Sequence, residues 1–486
     1  MDDFSFFWHD YETFGRVPRR DRPAQFAGVR TDAALNEIGE PVMLYCQPGD
    51  DWLPDPESCL LTGITPQHCQ AQGVPEHAFA DQVLAALGAP GTVGVGYNTI
   101  RFDDEVTRYL LWRNLIDPYG REWQNGCGRW DLLDTVRCAY ALRPDGLQWP
   151  QHDDGRVSFK LEHLTQANGL AHAAAHDALS DVRATVALAR LLRSQQPRLF
   201  DFCLKLRKKE AVWQEIGPMG SNHSEGRRPF LHVSGMFGVE RGCIALVWPL
   251  ALHPSNKNEL IVWDLAHDPA ELLGLDADTL RLRLFSKAAD LPEGVARLPV
   301  KSIHINKSPV VIGNLKTLPP AQAERWGLDM ARCLQHAAWA AQQGDALAAL
   351  PWGAVFQRPA AADAPDVDED LYGSFIGQAD RRTLERLRGQ GGDALAAKRP
   401  AFDDSRLAEL LFRYRARNWP VMLDDAEQAR WLQHRQERLH DGVGGGQTLA
   451  QFFERIDMLS ETADERGEAI LAALYDHAEA IAPELD

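Results

Sequence analysis

Phe4-Ser5-Phe6-Phe7-Trp8-His9-Asp10-Tyr11-Glu12 joins an apolar, aromatic-rich run to two carboxylates. Phe4 to Trp8 reads as a buried strand. In an extended chain, residues two apart point to the same face. Asp10 and Glu12 therefore aim at one spot just where the strand ends. Taken alone the pair means little, because Asp-x-Glu is common at exposed strand ends.

Two later stretches have the same character. Thr92-Val93-Gly94-Val95-Gly96-Tyr97 is a second strand candidate, and Asn98-Thr99-Ile100-Arg101-Phe102-Asp103-Asp104-Glu105 follows it. The simpler reading of these acids is a helix N-terminus, where negative charge suits the dipole. In His176-Asp177-Ala178-Leu179-Ser180-Asp181 a histidine precedes an aspartate by five residues. The spacing predicts a helix over 178–192 with Asp177 as its cap, which leaves His176 an ordinary loop residue.

Together the three stretches read differently. Carboxylates brought together repel by roughly 4 kcal/mol per pair at 4 Å in an effective dielectric of about 20. A fold gathers them only around a cation. Hard oxygen ligands favour Mg²⁺, or Mn²⁺ in its place, over zinc. Two such ions clamp the attacking and leaving oxygens of a phosphodiester, and a neutral histidine can accept a proton from water.

The 486 residues imply two or three domains. Hydrophobic content of 45% and charged content of 25% are those of a globular protein. No run approaches the ~20 apolar residues of a membrane span. Asp2 and Asp3 stand where a signal peptide carries basic residues, so export is not expected. The eight cysteines form no C-x-x-C pair and read as reduced thiols of a cytoplasmic protein. Net charge of −18 argues against nucleic acid only in the far field, since binding depends on a local groove.

Residues 1–200 alternate strand-like and helical runs, as in an α/β domain. A basic stretch over 201–215 includes Lys205, Arg207, Lys208 and Lys209. Short β-rich runs follow at 230–233, 244–248, 260–263 and 310–312, so 201–356 reads as a β domain with helical additions. The Ala-, Pro- and Asp-rich run from Arg358 to Asp370 reads as a linker or exposed loop. Helical periodicity then dominates 357–486, with Leu407, Leu410, Leu411 and Tyr414 on one face and Ile470, Leu474, His477 and Ile481 on another.

The order Asp-x-Glu, Asn-x-x-x-Phe-Asp, His-x-x-x-x-Asp resembles the DEDDh exonuclease superfamily. Longer blocks resemble bacterial exonuclease I in particular. They include His9 to Gly15, Asp21 to Phe26, Thr62 to Pro66, Phe102 to Arg108, Arg129 to Asp134, His232 to Gly238, His304 to Lys307 and Tyr414 to Asn418. The resemblance implies a ribonuclease H-like exonuclease domain, an SH3-like β domain and a C-terminal helical domain. It implies 3′-to-5′ hydrolysis of single-stranded DNA with release of 5′-mononucleotides, in repair and recombination, by a monomer.

By the same resemblance Asp10, Glu12, Asp103 and Asp181 match the ligands of two metal ions, and His176 the general base. Asp103 is preferred to Asp104 because it directly follows Phe102. Glu12, Thr13 and Phe14 match contacts to the terminal nucleotide. Arg108, Tyr119, Trp123, Arg137, Lys160 and Lys209 match the DNA path, where basic groups track phosphates and rings stack on bases. Lys160 stands where the family carries an arginine, which keeps the charge and loses the bidentate fork. Arg143 and Phe202 match a pocket for the acidic C-terminal tail of the single-strand DNA-binding protein, with Phe202 replacing a tyrosine. A short exoribonuclease or proofreading enzyme of the superfamily lacks the second and third domains. A binding scaffold with a degenerate site would lack one of the five site residues, and all five are present.

Overall fold

Trp8, which the sequence places in a buried strand, is fully enclosed in the computed structural model, and its indole N–H donates to Thr31 Oγ1 at 2.9 Å. The structure describes residues 4–170, 178–217, 219, 226–357, 365–396 and 398–484. It groups them into two compact units, each discontinuous in sequence. The first comprises 1–128, 172–183 and 362–486, and the second 129–171 and 184–361.

In the first unit, β1 (Ser5–Thr13), β2 (Pro23–Thr31), β3 (Val42–Tyr45) and β4 (Thr92–Gly96) lie in the order β3-β2-β1-β4. β1 is antiparallel to β2 and parallel to β4. It is covered on both faces over Phe6, Phe7 and Trp8, which explains its unbroken apolar run. Beyond Trp8 the strand runs on to Thr13, and a register shift between Glu12 and Thr13 breaks the ladder. β5 (Gly128–Asp131) straddles the boundary between the units.

The C-terminal part of this unit is helical, and its apolar faces are the expected ones. Leu407, Leu410, Leu411 and Tyr414 share a core with Tyr109 and Trp112. Ile470, Leu474 and Ile481 share another with Phe14, Trp52 and Leu53. Among the described residues no helix is long and apolar enough to cross a membrane.

The second unit holds β6 (Phe230–Val233), β7 (Ile244–Leu252), β8 (Glu259–Asp264), β9 (Val300–His304) and β10 (Val310–Ile312). They form one antiparallel sheet in the order β10-β6-β7-β8-β9. β9 has no clear signal in the sequence, because Ile303 is its one fully buried residue. The basic stretch over 201–215 divides between two helices, Pro197–Lys205 and Lys209–Ile216. Ala211, Val212 and Ile216 of the latter pack on Phe230, Val247 and Val262.

The acidic run ending at Asp370 departs from its reading as an exposed loop. Residues 358–364 lie outside the described residues, but Asp368 is 1% exposed. It accepts from Arg417 at 3.1 Å and from Arg22 at 3.4 Å. Arg413 spans both oxygens of Asp366 at 2.7 and 2.9 Å, and Arg417 also reaches Asp51 at 2.8 Å. Burial alone would raise the Asp368 carboxyl, but the guanidiniums of Arg417, Arg413 and Arg22 hold it well below the ordinary range. Removing one partner of a buried pair strands the other charge, at a cost of about 3–5 kcal/mol. Arg417→Ala should therefore lower the urea midpoint by about that stability, whereas an unchanged midpoint would show the cluster to be neutral.

Candidate active site

Asp10 and Glu12 occupy alternate positions of β1, and both are half-buried between fully buried His9, Tyr11 and Thr13. Alternation along the strand thus presents both carboxylates to one cleft. The helix Ala178–Gln195 carries Asp181 in its first turn. One oxygen each from Asp10, Glu12 and Asp181 fall within 4.8 Å of one another.

Asp103 reaches the same strand from another direction. β4 ends at Gly96, where a Cβ would sit 2.7 Å from the His9 carbonyl oxygen, so only glycine fits. Asn98 then adopts φ +67°, a left-handed conformation that asparagine tolerates. A short turn follows, and Asp103 opens the helix Asp103–Arg113. The Tyr11 backbone N–H donates to Asp103 Oδ1 at 3.1 Å. The Thr107 hydroxyl donates to the Asp103 carbonyl at 2.9 Å and lies 3.0 Å from the Tyr11 hydroxyl. Asp104 faces elsewhere, accepting from Arg121 at 2.5 Å.

Burial, and then the Asp181 carboxylate, push Asp10 up to about 8. Burial, then Asp10 and Asp104, hold Asp103 well above the ordinary carboxylate range. These acids resist ionising together, as expected of a site that awaits a positive charge. An all-oxygen donor set fits hard divalent ions such as Mg²⁺ or Mn²⁺. His9 is a poor candidate for proton transfer, because burial and then Arg121 lower it to about 4. His176, the expected general base, and Asp177, the expected cap, lie outside the described residues.

Three family models cover the chain in sequence. Residues 7–189 match an exonuclease model, 207–358 the exonuclease I SH3-like domain, and 365–481 the exonuclease I C-terminal domain. Exodeoxyribonuclease I of Escherichia coli is 45% identical over 480 residues, 98% of each chain. The chain belongs to the exodeoxyribonuclease I family. Among solved members of the family, exonuclease I from Methylocaldum szegediense is 46% identical, with a TM-score of 0.90 over 98% of this chain and 99% of that one. The E. coli exonuclease I complex with a dA16 oligonucleotide is 44% identical, with a TM-score of 0.92 over 99% and 100%. Exonuclease I thus names the modules seen as sequence texture: a ribonuclease H-like exonuclease domain, an SH3-like domain and a helical C-terminal domain.

The remaining expected residues differ in environment. Thr13 donates its hydroxyl to the Gly15 carbonyl at 2.6 Å. Phe14 is 1% exposed, with its ring 5.9 Å from Trp52. Trp123 is 65% exposed, while Tyr119 packs between Arg108 at 5.4 Å and Phe375 at 6.4 Å. Arg108 is buried and donates to Glu122 at 2.7 and 2.9 Å, to Glu105 at 2.7 Å and to the Tyr372 hydroxyl at 3.0 Å. In the second unit, Arg137 pairs with Asp134 at 2.7 Å. Lys160 is exposed, and exposed Lys209 donates to Asn258 at 2.9 Å. Arg143 donates to the Thr317 carbonyl at 3.2 Å, and half-buried Phe202 packs on the second unit's core. The sequence reading misses Tyr11 and Arg121 as supports. Only the acid run Asp103-Asp104-Glu105, which demands partners, hints at them.

A carboxyl with a folded-state pKa of about 8 keeps its proton where the unfolded chain, near about 4, has lost it. Between those values the unfolded state binds fewer protons, so stability falls as pH rises and levels off above about 8. Thermal melts from about pH 5 to about pH 8.5 should therefore show the EDTA-treated protein losing melting temperature, and Mg²⁺ reducing that loss. A metal-free melting temperature that climbs through the window would contradict this picture of the site.

Proposed function

We propose that the chain hydrolyses single-stranded DNA from its 3′ end, one 5′-mononucleotide at a time. The convergence of the Asp10, Glu12 and Asp181 carboxylates at the end of β1, with Asp103 beside them, supports this reading most directly. Asp10, Glu12, Asp103 and Asp181 would hold two Mg²⁺ ions, with Mn²⁺ able to substitute. Divalent ions held there offset the charge of the scissile phosphate and make water a better nucleophile. His176 accepts the proton of the attacking water. The water oxygen bonds to phosphorus, and the 3′-oxygen of the shortened strand departs.

Glu12, Thr13 and Phe14 frame the terminal nucleotide, with Phe14 acting as a wall from within its core. Exposed Trp123 offers a face for stacking, with Tyr119 next to it along the path. Arg137, Lys160 and Lys209 follow the phosphates, and Arg108 belongs to the same path. Arg143 and Phe202 receive the acidic C-terminal tail of the single-strand DNA-binding protein. The functional modules are residues 1–200, 201–356 and 357–486, in a monomer acting in the cytoplasm in DNA repair and recombination.

Asp103→Ala should abolish release of mononucleotides from a labelled single strand in Mg²⁺ while leaving affinity in EDTA nearly intact. The phosphate contacts, not the acids, supply most of the binding. Affinity that collapses with turnover would assign Asp103 to DNA anchoring. Trp123→Ala should weaken binding by about 1–3 kcal/mol, as for loss of one stacked base, measured by fluorescence anisotropy. RNA of the same length, degraded equally well, would favour a ribonuclease instead.

A further inference from the structure

The segment between Tyr119 and Trp123 carries two charged residues, and both turn inward. Arg121 donates to Asp104 at 2.5 Å, with side chains 1% and 2% exposed. Glu122 accepts both arms of Arg108, at 2.7 and 2.9 Å, with side chains 8% and 5% exposed respectively. Asp104 and Arg108 lie one helical turn apart on the helix that begins with Asp103. The pairs thus alternate in sign along the helix, negative then positive. A turn displaced by one residue would set like charge against like, so only one register is satisfied.

Further contacts brace this arrangement. Arg108 also donates to Glu105 at 2.7 Å and lies 5.4 Å from the Tyr119 ring centre. The Tyr372 hydroxyl bonds to both Arg108 and Glu105. Arg121 lies along β4, where a Cβ on Gly94 would come within 3.3 Å of its Nη1. The three acids at the head of the helix therefore divide their work. Asp103 faces Tyr11 and the carboxylate cleft, Asp104 holds Arg121, and Glu105 supports Arg108.

We propose that the crossed pairs Asp104–Arg121 and Arg108–Glu122 are a positioning clamp that sets the Tyr119 and Trp123 rings at a fixed distance from Asp103. This rests on the reading of Trp123 as part of the DNA path. A base stacked on Trp123 then fixes which phosphate of the strand reaches the carboxylates. Arg121 and Glu122 touch no substrate, and Arg108, its guanidinium taken up by Glu122, Glu105 and Tyr372, serves the DNA path through the turn it holds.

A double-mutant cycle on the full chain tests the clamp, using Glu122→Gln, Trp123→Ala and the pair. Affinity for a single-stranded oligonucleotide is measured in EDTA, and KM and kcat in Mg²⁺. Glu122→Gln should weaken binding about three- to tenfold and raise KM by more than it lowers kcat. The pair should bind no worse than Trp123→Ala alone, because the clamp acts through that ring. Losses that multiply, or a Glu122→Gln protein that binds like the parent, overturn the clamp. A Trp123→Ala protein that binds like the parent instead overturns the DNA path itself, and the clamp with it. If Glu122→Gln does not fold, Glu122→Asp, which keeps the charge but falls short of the Arg108 fork, replaces it in the cycle with the same outcomes.

Discussion

Mutual repulsion between half-buried carboxylates is the constraint around which the first unit is built. Asp10, Glu12 and Asp181 converge although the Asp181 carboxylate makes Asp10 harder to ionise. Nothing in hydrophobic burial favours that arrangement, so backbone geometry must impose it. A central strand supplies two of the acids by alternation, and two helix N-termini supply the others. Positive helix ends are the cheapest place to put negative charge before a cation arrives.

Other charges in the unit are settled by pairing. Arg121 neutralises Asp104 beside the site, and Arg413 and Arg417 neutralise Asp366 and Asp368 away from it. The contrast separates function from structure. Where guanidiniums surround a buried acid it ionises easily, as at Asp368, and where they are withheld it resists, as at Asp10. A net charge of −18 therefore says little about this protein's fitness for DNA, because several of those carboxylates never face solvent.

Much of this was legible from residue order. The aromatic run before Asp10, the glycine-rich β4 and the periodic leucines near the C-terminus each declare their element locally. Asp10 and Glu12 share a face because strands alternate, which needs no tertiary knowledge. Partnerships across distance were not legible. Arg417 lies 49 residues beyond Asp368, so the acidic run looked like solvated linker. Phe14 and Trp123 are both aromatic residues near the expected substrate path, yet one is enclosed by a core and the other open. Burial of that kind is decided by residues 439–481 packing on Phe14, which local sequence does not contain.

That last core bears on how the protein comes into being. Phe14 is two residues from Glu12, and its surroundings include Leu449, Phe452, Ile470 and Leu474. A chain emerging from the ribosome therefore carries the strand of Asp10 and Glu12 for hundreds of residues before these partners of Phe14 are synthesised. Until those helices exist, the core around Phe14 holds only its early members, such as Trp52, Leu53 and Ile64.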